Sequence, residues 1–304
     1  MVNQHTLRFC PIKPRVFELS DIANEPDDAE SQVRFLLYGN EFDIKGLVAC
    51  TSNWMRTAVH QEEMKMIIRS YASVVSNLNA HAHPGNQYPS AEDLLKVLRT
   101  GPPVYGKHAL DLDVPLSSGA ELLIEQLSAS DDPLWHVGKS QPASTSAALR
   151  SRTRIYAISD QDDTGHWIRT TYSDIFYICS IHGWNNYDLT TWTRISGDIT
   201  GDEFPDQGGP NTSLVSATWL KTYIQIGSLG AVYPDYTFIM EGDTPSFLYL
   251  IQNGFVWTEH PEYEVYDPDG DRLAFNWFRY REPTTGKGVV IDLQVAELDI
   301  VPLE

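Results

Sequence analysis

Three distant stretches of this chain repeat one pattern: a short apolar run, an acidic loop, then the start of a helix. They are FELS followed by DIANEPDD (residues 17–28), YAIS followed by DQDDTG (156–165) and TFIM followed by EGDTPS (237–246). A fourth, LVAC followed by TSNW (47–54), ends its apolar run with hydroxyls and an amide. Apolar strands alternating with helices argue for a parallel α/β sheet flanked by helices. In an open parallel sheet, ligands bind outside the carboxyl ends of the strands, so all four polar clusters belong to one edge.

The rest of the chain is read in the same terms. RVFEL (15–19) predicts a strand, AESQVRFLLYGN a helix with Val33, Leu36 and Leu37 on one face, and FDIKGLVAC (42–50) the next strand. EEMKMIIRSYASVVSNL, AEDLLKVLR and SGAELLIEQLSAS predict helices, with Ser90 as the N-cap of the second. PLWHVG, RIYAIS (154–159) and IFYICS predict strands, with a helix at HWIRTTY; GKSQPASTSAALRS (138–151) reads as a loop, as does the polar segment 182–212. Residues 1–262 are expected to form the main domain. Residues 263–304, with alternating apolar positions and turn signals, are expected to form a short C-terminal β-rich segment.

Composition removes several functions. The net charge of −19, from 41 acidic and 22 basic residues, repels phosphate backbones and argues against nucleic-acid binding. Cys10, Cys50 and Cys179 fit neither a zinc pattern nor a disulfide framework. No run of about 18 apolar residues and no signal-peptide core occurs, so no membrane partner is expected. As given, the chain reads as cytoplasmic, although a mature secreted protein without its leader would look the same.

Asp21, Glu25, Asp27 and Asp28 fall within eight positions. Like charges 4 Å apart repel by roughly 4 kcal/mol at an effective dielectric of 20, so a pocket holding them needs a cation or a shared proton. A single Pro-Asp-Asp is more often a helix cap than a ligand, since free N–H groups and the macrodipole favour carboxylates there. The recurrence on one edge raises the ligand reading. Oxygen donors without paired His or Cys suit a hard cation, and the lack of a glycine-rich phosphate loop favours Ca2+ over Mg2+. Trp54, Trp135 and Trp184 are aromatic candidates for a sugar platform. His81 and His83 read as solvated, and no G-x-S-x-G elbow supports a serine nucleophile.

The blocks SDIANEPDDAESQVRFLLYGNEFDIKGLVACTS, RIYAISDQDDTGHWIR and YPDYTFIMEGDTPSFLYLIQNG resemble the nucleoside-hydrolase-like proteins of the cellulose-binding Sde182 type, over most of residues 14–262. That family is in turn similar to calcium-dependent nucleoside hydrolases. The resemblance implies a Rossmann-like, mostly parallel sheet and an aspartate cluster that chelates a divalent cation and activates water. It implies metal ligation by Asp21, Glu25, Asp27, Asp28 and Asp243, with Asp21 and Asp27 catalytic. Asn53, Asp160, Asp162 and Asp163 are the implied substrate contacts; Trp54 and Glu241 are further candidates at the same edge, and His166 and His182 candidate acids by position.

The sequence departs from that pattern at three places. Ala23 stands where the hydrolases carry a further aspartate, so that either Asp21 or Glu25 must take its role; HVGKSQPASTSAALRS replaces a Trp-Gly-Gly and Asn-Thr segment; and the link from HPEY to DPDGD is short. The resemblance implies a hydrolase of N- or O-glycosidic bonds, acting on a nucleoside or another small glycoside and assembling, as such hydrolases often do, as a homo-oligomer. The alternative is a cellulose- or glucan-binding protein on the same fold without turnover.

Overall fold

Among the described residues, six strands form one parallel sheet: β1 (Arg15–Ser20), β2 (Asp43–Ala49), β3 (Leu98–Thr100), β4 (Leu134–Gly138), β5 (Thr153–Ile158) and β6 (Phe176–Ser180). Their order is β3-β2-β1-β4-β5-β6. The computed structural model describes residues 4–7, 9–138, 146–158, 162–180, 217–234 and 241–251. Within these, the helices are α1 (Pro26–Leu37), α2 (Gln61–Ala72), α3 (Val75–Asn79), α4 (Ala91–Lys96), α5 (Ser118–Ala129), α6 (Ala147–Arg150), α7 (Asp163–Thr171), α8 (Ala217–Tyr223), α9 (Gly227–Gly230) and α10 (Thr244–Leu248). Among the described residues no helix is long and apolar enough to cross a membrane.

The chain builds outward from β1 through β2 to β3, then returns to start again at β4 on the other side of β1. This reversal makes the β1/β4 boundary the topological switch point, where the connections diverge and a crevice opens at the carboxyl edge. Gly138 closes β4 there with φ of 101°, and a Cβ at this position would lie 2.0 Å from the Leu19 carbonyl oxygen. Only glycine permits the two strands to sit this close in that conformation.

Side-chain alternation puts apolar groups on both faces of the sheet. Val16, Leu47, Ala49 and Val137 join Phe35, Leu36, Met64, Ile67, Ile68 and Phe247 in the larger core, against α1, α2 and α10. Phe17, Leu19, Val48 and Leu134 join Leu122, Leu123 and Leu127 of α5 in a second. Ile155, Ala157, Ile168 and Ile175 make a third beside α7. Phe247 packs edge-on against Phe35 at 5.2 Å and is 2% exposed, so it fixes the short α10 by the roughly 1.5–3 kcal/mol of a buried Phe.

The α/β architecture and parallel pairing agree with expectation, and Ser90 does cap α4, accepting from the Asp93 N–H at 3.1 Å. Three expectations are corrected. The helix expected over AEDLLKVLR stops at Lys96, and Leu98–Thr100 crosses to the sheet as β3, pairing with Leu47–Ala49. The long helix expected after residue 61 breaks into α2 and α3, since the chain turns at residues 73–74. Part of the expected loop 138–151 is helical, as α6. The strand expected at 236–240, the polar segment 182–212 and the C-terminal segment 263–304 lie outside the described residues.

Candidate metal centre

Asp21 follows β1 directly and is fully buried, at the switch point. The chain then turns: the Asn24 N–H donates to the Asp21 carbonyl at 3.0 Å, and Ala23 adopts φ of 73°, in the left-handed region. Glu25 is the N-cap of α1 and Pro26 its first residue, where a missing N–H costs nothing. Asp27 and Asp28 therefore occupy the first turn, where the helix dipole favours negative charge. Asp28 also closes that turn, its Oδ2 accepting from the Glu25 N–H at 3.0 Å.

Asp243 arrives from more than two hundred residues away. Its backbone N–H donates to Ser31 Oγ at 3.2 Å and it opens α10. One carboxylate oxygen from each of Asp21, Asp28 and Asp243 lies within 4.8 Å of the other two, and all three residues are buried. At 4.8 Å and an effective dielectric of 20, two such charges repel by roughly 3.5 kcal/mol. A hard cation with bonds of 2.3–2.6 Å spans up to about 5 Å between opposite ligands, so three oxygens within 4.8 Å of one another are within reach of one such ion.

The loop carrying Asp243 is clamped to α1 by a buried polar network. Arg34 holds Glu241 through three bonds, Nε to Oε2 at 3.0 Å and to Oε1 at 3.2 Å, and Nη2 to Oε1 at 2.9 Å. The Tyr233 hydroxyl donates to Glu241 Oε1 at 2.8 Å, and the Glu241 N–H donates to Glu30 Oε2 at 2.9 Å. Thr244 Oγ1 lies within hydrogen-bond distance of both Ser31 and Glu241. Glu241 holds φ of 52°, a strained conformation for a residue with a side chain, kept in place by these contacts. Burial pushes the Glu30 carboxyl up to about 8, helped by the neighbouring Glu241 charge and opposed by the Glu241 N–H.

Beneath the trio sits Glu18, on the same face of β1 as Val16 and 7% exposed. Burial raises its pKa to about 8; nearby Gln32 lowers it in part, and the Asp243 charge adds to the rise. Gln32 does not reach strict hydrogen-bond geometry, since neither Glu18 Oε2 nor the Gln32 amide atoms have a partner among the described residues. Neither Glu18 nor the polar face of α1 was anticipated. The available signal was the carboxylate inside RVFELS, flanked by apolar residues on a strand.

The structure gathers some of the anticipated residues and separates others. Asp27 is buried at the same turn as Asp28 but lies outside the trio, as does the half-buried Glu25. Glu241, expected at the substrate, is instead turned into α1 and held by Arg34, Tyr233 and Thr244. Asp162 accepts from the Asn53 N–H at 2.8 Å, and Asp163 from the Lys107 N–H at 3.1 Å, so both tie loops together. Gly106, at φ of 61°, makes room for the Asp163 carboxylate: a Cβ there would lie 2.0 Å from Oδ1. The Asn53 carboxamide oxygen accepts from Arg56. Trp54 is exposed at this edge, whereas Trp135 is packed between Phe176 and Tyr249 as part of the fold. His166 is exposed on α7 and His83 stacks on Phe9; Asp160, His182 and Trp184 lie outside the described residues.

A doubly wound parallel sheet with buried carboxylates converging at its switch point defines a Rossmann-like α/β protein with an acidic centre at the carboxyl edge. The family model for the cellulose-binding Sde182, nucleoside hydrolase-like domain matches residues 15–267, and the chain belongs to that family. A solved structure described as a nucleoside hydrolase-related hypothetical protein from Saccharophagus degradans, associated with carbohydrate metabolism, is 26% identical with a TM-score of 0.63. The match covers 80% of this chain and 56% of that one, so this chain spans little more than half the length of that relative. No curated protein matches the chain at a significant level.

Proposed function

We propose that the chain is a calcium-dependent hydrolase of glycosidic bonds, acting on a nucleoside or another small glycoside. The observation that carries the proposal is the meeting of Asp21, Asp28 and Asp243 within 4.8 Å, away from solvent. These three would hold the cation, whose chemistry when bound is to polarise a water and anchor sugar hydroxyls. Asp27, buried one residue before Asp28 and outside the trio, would accept the proton of the attacking water. The surrounding carboxylates favour the positive charge that develops on the sugar ring as the bond to the leaving group breaks.

Two substitutions separate these roles. Asp28→Asn should abolish calcium binding in titration calorimetry. Asp27→Asn should keep calcium binding while lowering reducing-sugar release about 10²–10⁴-fold, the usual range for a general base. Calcium binding that survives Asp28→Asn unchanged would defeat the cation assignment.

The second reading is carbohydrate binding without turnover. The family description names cellulose binding, and the S. degradans relative is associated with carbohydrate metabolism. Asp162 and Asp163, implied contacts of the substrate, each spend one carboxylate oxygen on a backbone N–H of another loop, which also favours this reading. Retention on insoluble cellulose, with no release from any nucleoside or glycoside, selects it.

A further inference from the structure

The loops leaving β2, β3 and β5 are joined at the carboxyl edge, on a segment that carries an exposed arginine, Arg56, two residues from an exposed indole, Trp54. Thr51 Oγ1 donates to the Val104 carbonyl at 3.2 Å, the Asn53 N–H to Asp162, and the Asp163 N–H to the Tyr105 hydroxyl at 3.1 Å. Arg56 is oriented by this framework. Its Nε donates to the Asn53 carbonyl at 2.8 Å, its Nη2 to Asn53 Oδ1 at 2.5 Å, and its Cζ stands 4.8 Å from the Tyr105 ring centre. Asp162 and Asp163 lie across the same loops, where each accepts a backbone N–H, and Arg56 forms no ion pair with a carboxylate among the described residues. Nη1 takes no part in the Asn53 bonds.

We propose that Trp54, Arg56 and Tyr105 form a subsite for a sugar that carries an oxyanion, a uronate or a sugar phosphate. Three observations support it. A guanidinium with its plane fixed on two sides is pre-organised to donate to a carboxylate or phosphate oxygen, and loses less freedom on binding than a mobile lysine. Trp54, 57% exposed and two residues away, offers an aromatic face of the kind that sugar C–H groups pack against. The subsite also lies on the same edge of the sheet as the acidic centre. The Cys50 N–H donates to the Ser20 carbonyl at 2.8 Å, immediately before Asp21, and Trp54 is four residues further on, within roughly 14 Å by chain length. In a chain of net charge −19, Arg56 counters the repulsion an anionic ligand would otherwise meet at this edge.

The inference rests on the reading that a sugar is the ligand of this edge. It is tested by calorimetric titration of the full chain, in calcium, with galactose, galacturonate, galactose 6-phosphate and inorganic phosphate. The uronate or the sugar phosphate should bind about three- to fivefold tighter than galactose, as an exposed charge pair allows. Arg56→Gln should remove that preference and leave galactose binding unchanged, whereas Trp54→Ala should weaken neutral and charged sugars alike. The two charged sugars distinguish the sources of the oxyanion. Equal binding of neutral and charged sugars overturns the subsite and leaves the glycoside reading standing. A preference that persists in Arg56→Gln also overturns it, by placing the oxyanion elsewhere, as does binding of inorganic phosphate with no sugar dependence. Binding of none of these sugars overturns the subsite and leaves the hydrolase reading to the nucleoside and glycoside assays.

Discussion

At the scale of single residues, the informative side chains are polar groups that the fold has buried. His136 lies on β4, 2% exposed, with its ring 5.8 Å from that of Phe17 and neither nitrogen hydrogen-bonded among the described residues. Burial lowers its pKa to about 4, from an ordinary value of 6.5. The unfolded chain therefore takes up a proton near pH 6.5 that the folded chain refuses until about pH 4, so stability is lost as pH falls through that window. Replacing His136 by Leu should flatten this acid limb, read as the unfolding midpoint against pH from 7 to 4. Glu18 has the opposite sign. Its carboxyl titrates near 8 when folded, so its contribution is lost as pH rises from the ordinary carboxylate range through 8.

At the scale of elements, α1 acts as the spine of the acidic centre. Its first turn presents Asp28, its second presents Glu30 and Ser31, and its third presents Arg34, so one helix contacts the 241–244 loop at successive levels. Arg34→Met would strand Glu241, 1% exposed at its side chain, and should cost on the order of 3 kcal/mol, the low end for breaking a buried pair, because Arg34 retains some solvent contact. Calcium affinity should fall with it although no ligand is removed, and the double variant Arg34→Met/Glu241→Gln should recover part of the stability in urea unfolding. This clamp was not legible in the sequence. The period Val33, Leu36, Leu37 identified the helix but not what Glu30 and Ser31 meet. Their partners lie more than two hundred residues away, and no local pattern encodes that contact.

At the scale of the whole molecule, the strand–acid–helix repeat was enough to define a parallel α/β sheet with a polar carboxyl edge. The order of strands was not readable, since it depends on which face each crossover takes. Nor was β3, because Leu94, Leu95, Val97 and Leu98 continue a helical period across the point where the chain leaves α4. The convergence of Asp21 and Asp28 with Asp243 is a property of the assembled sheet, and a cation bound there should stabilise the fold by linkage. Calcium at a hundredfold excess over its dissociation constant should add about 2.7 kcal/mol to unfolding. A chelator should remove that increment, and Asp243→Asn should not show it.

The trio draws two members from the first thirty residues and the third from position 243. A chain emerging from synthesis thus carries an unfinished ring of donors until its late segment has been made and has docked on α1. Uptake of the ion would then mark completion of the fold, and a fragment ending before Asp243 would be blind to it.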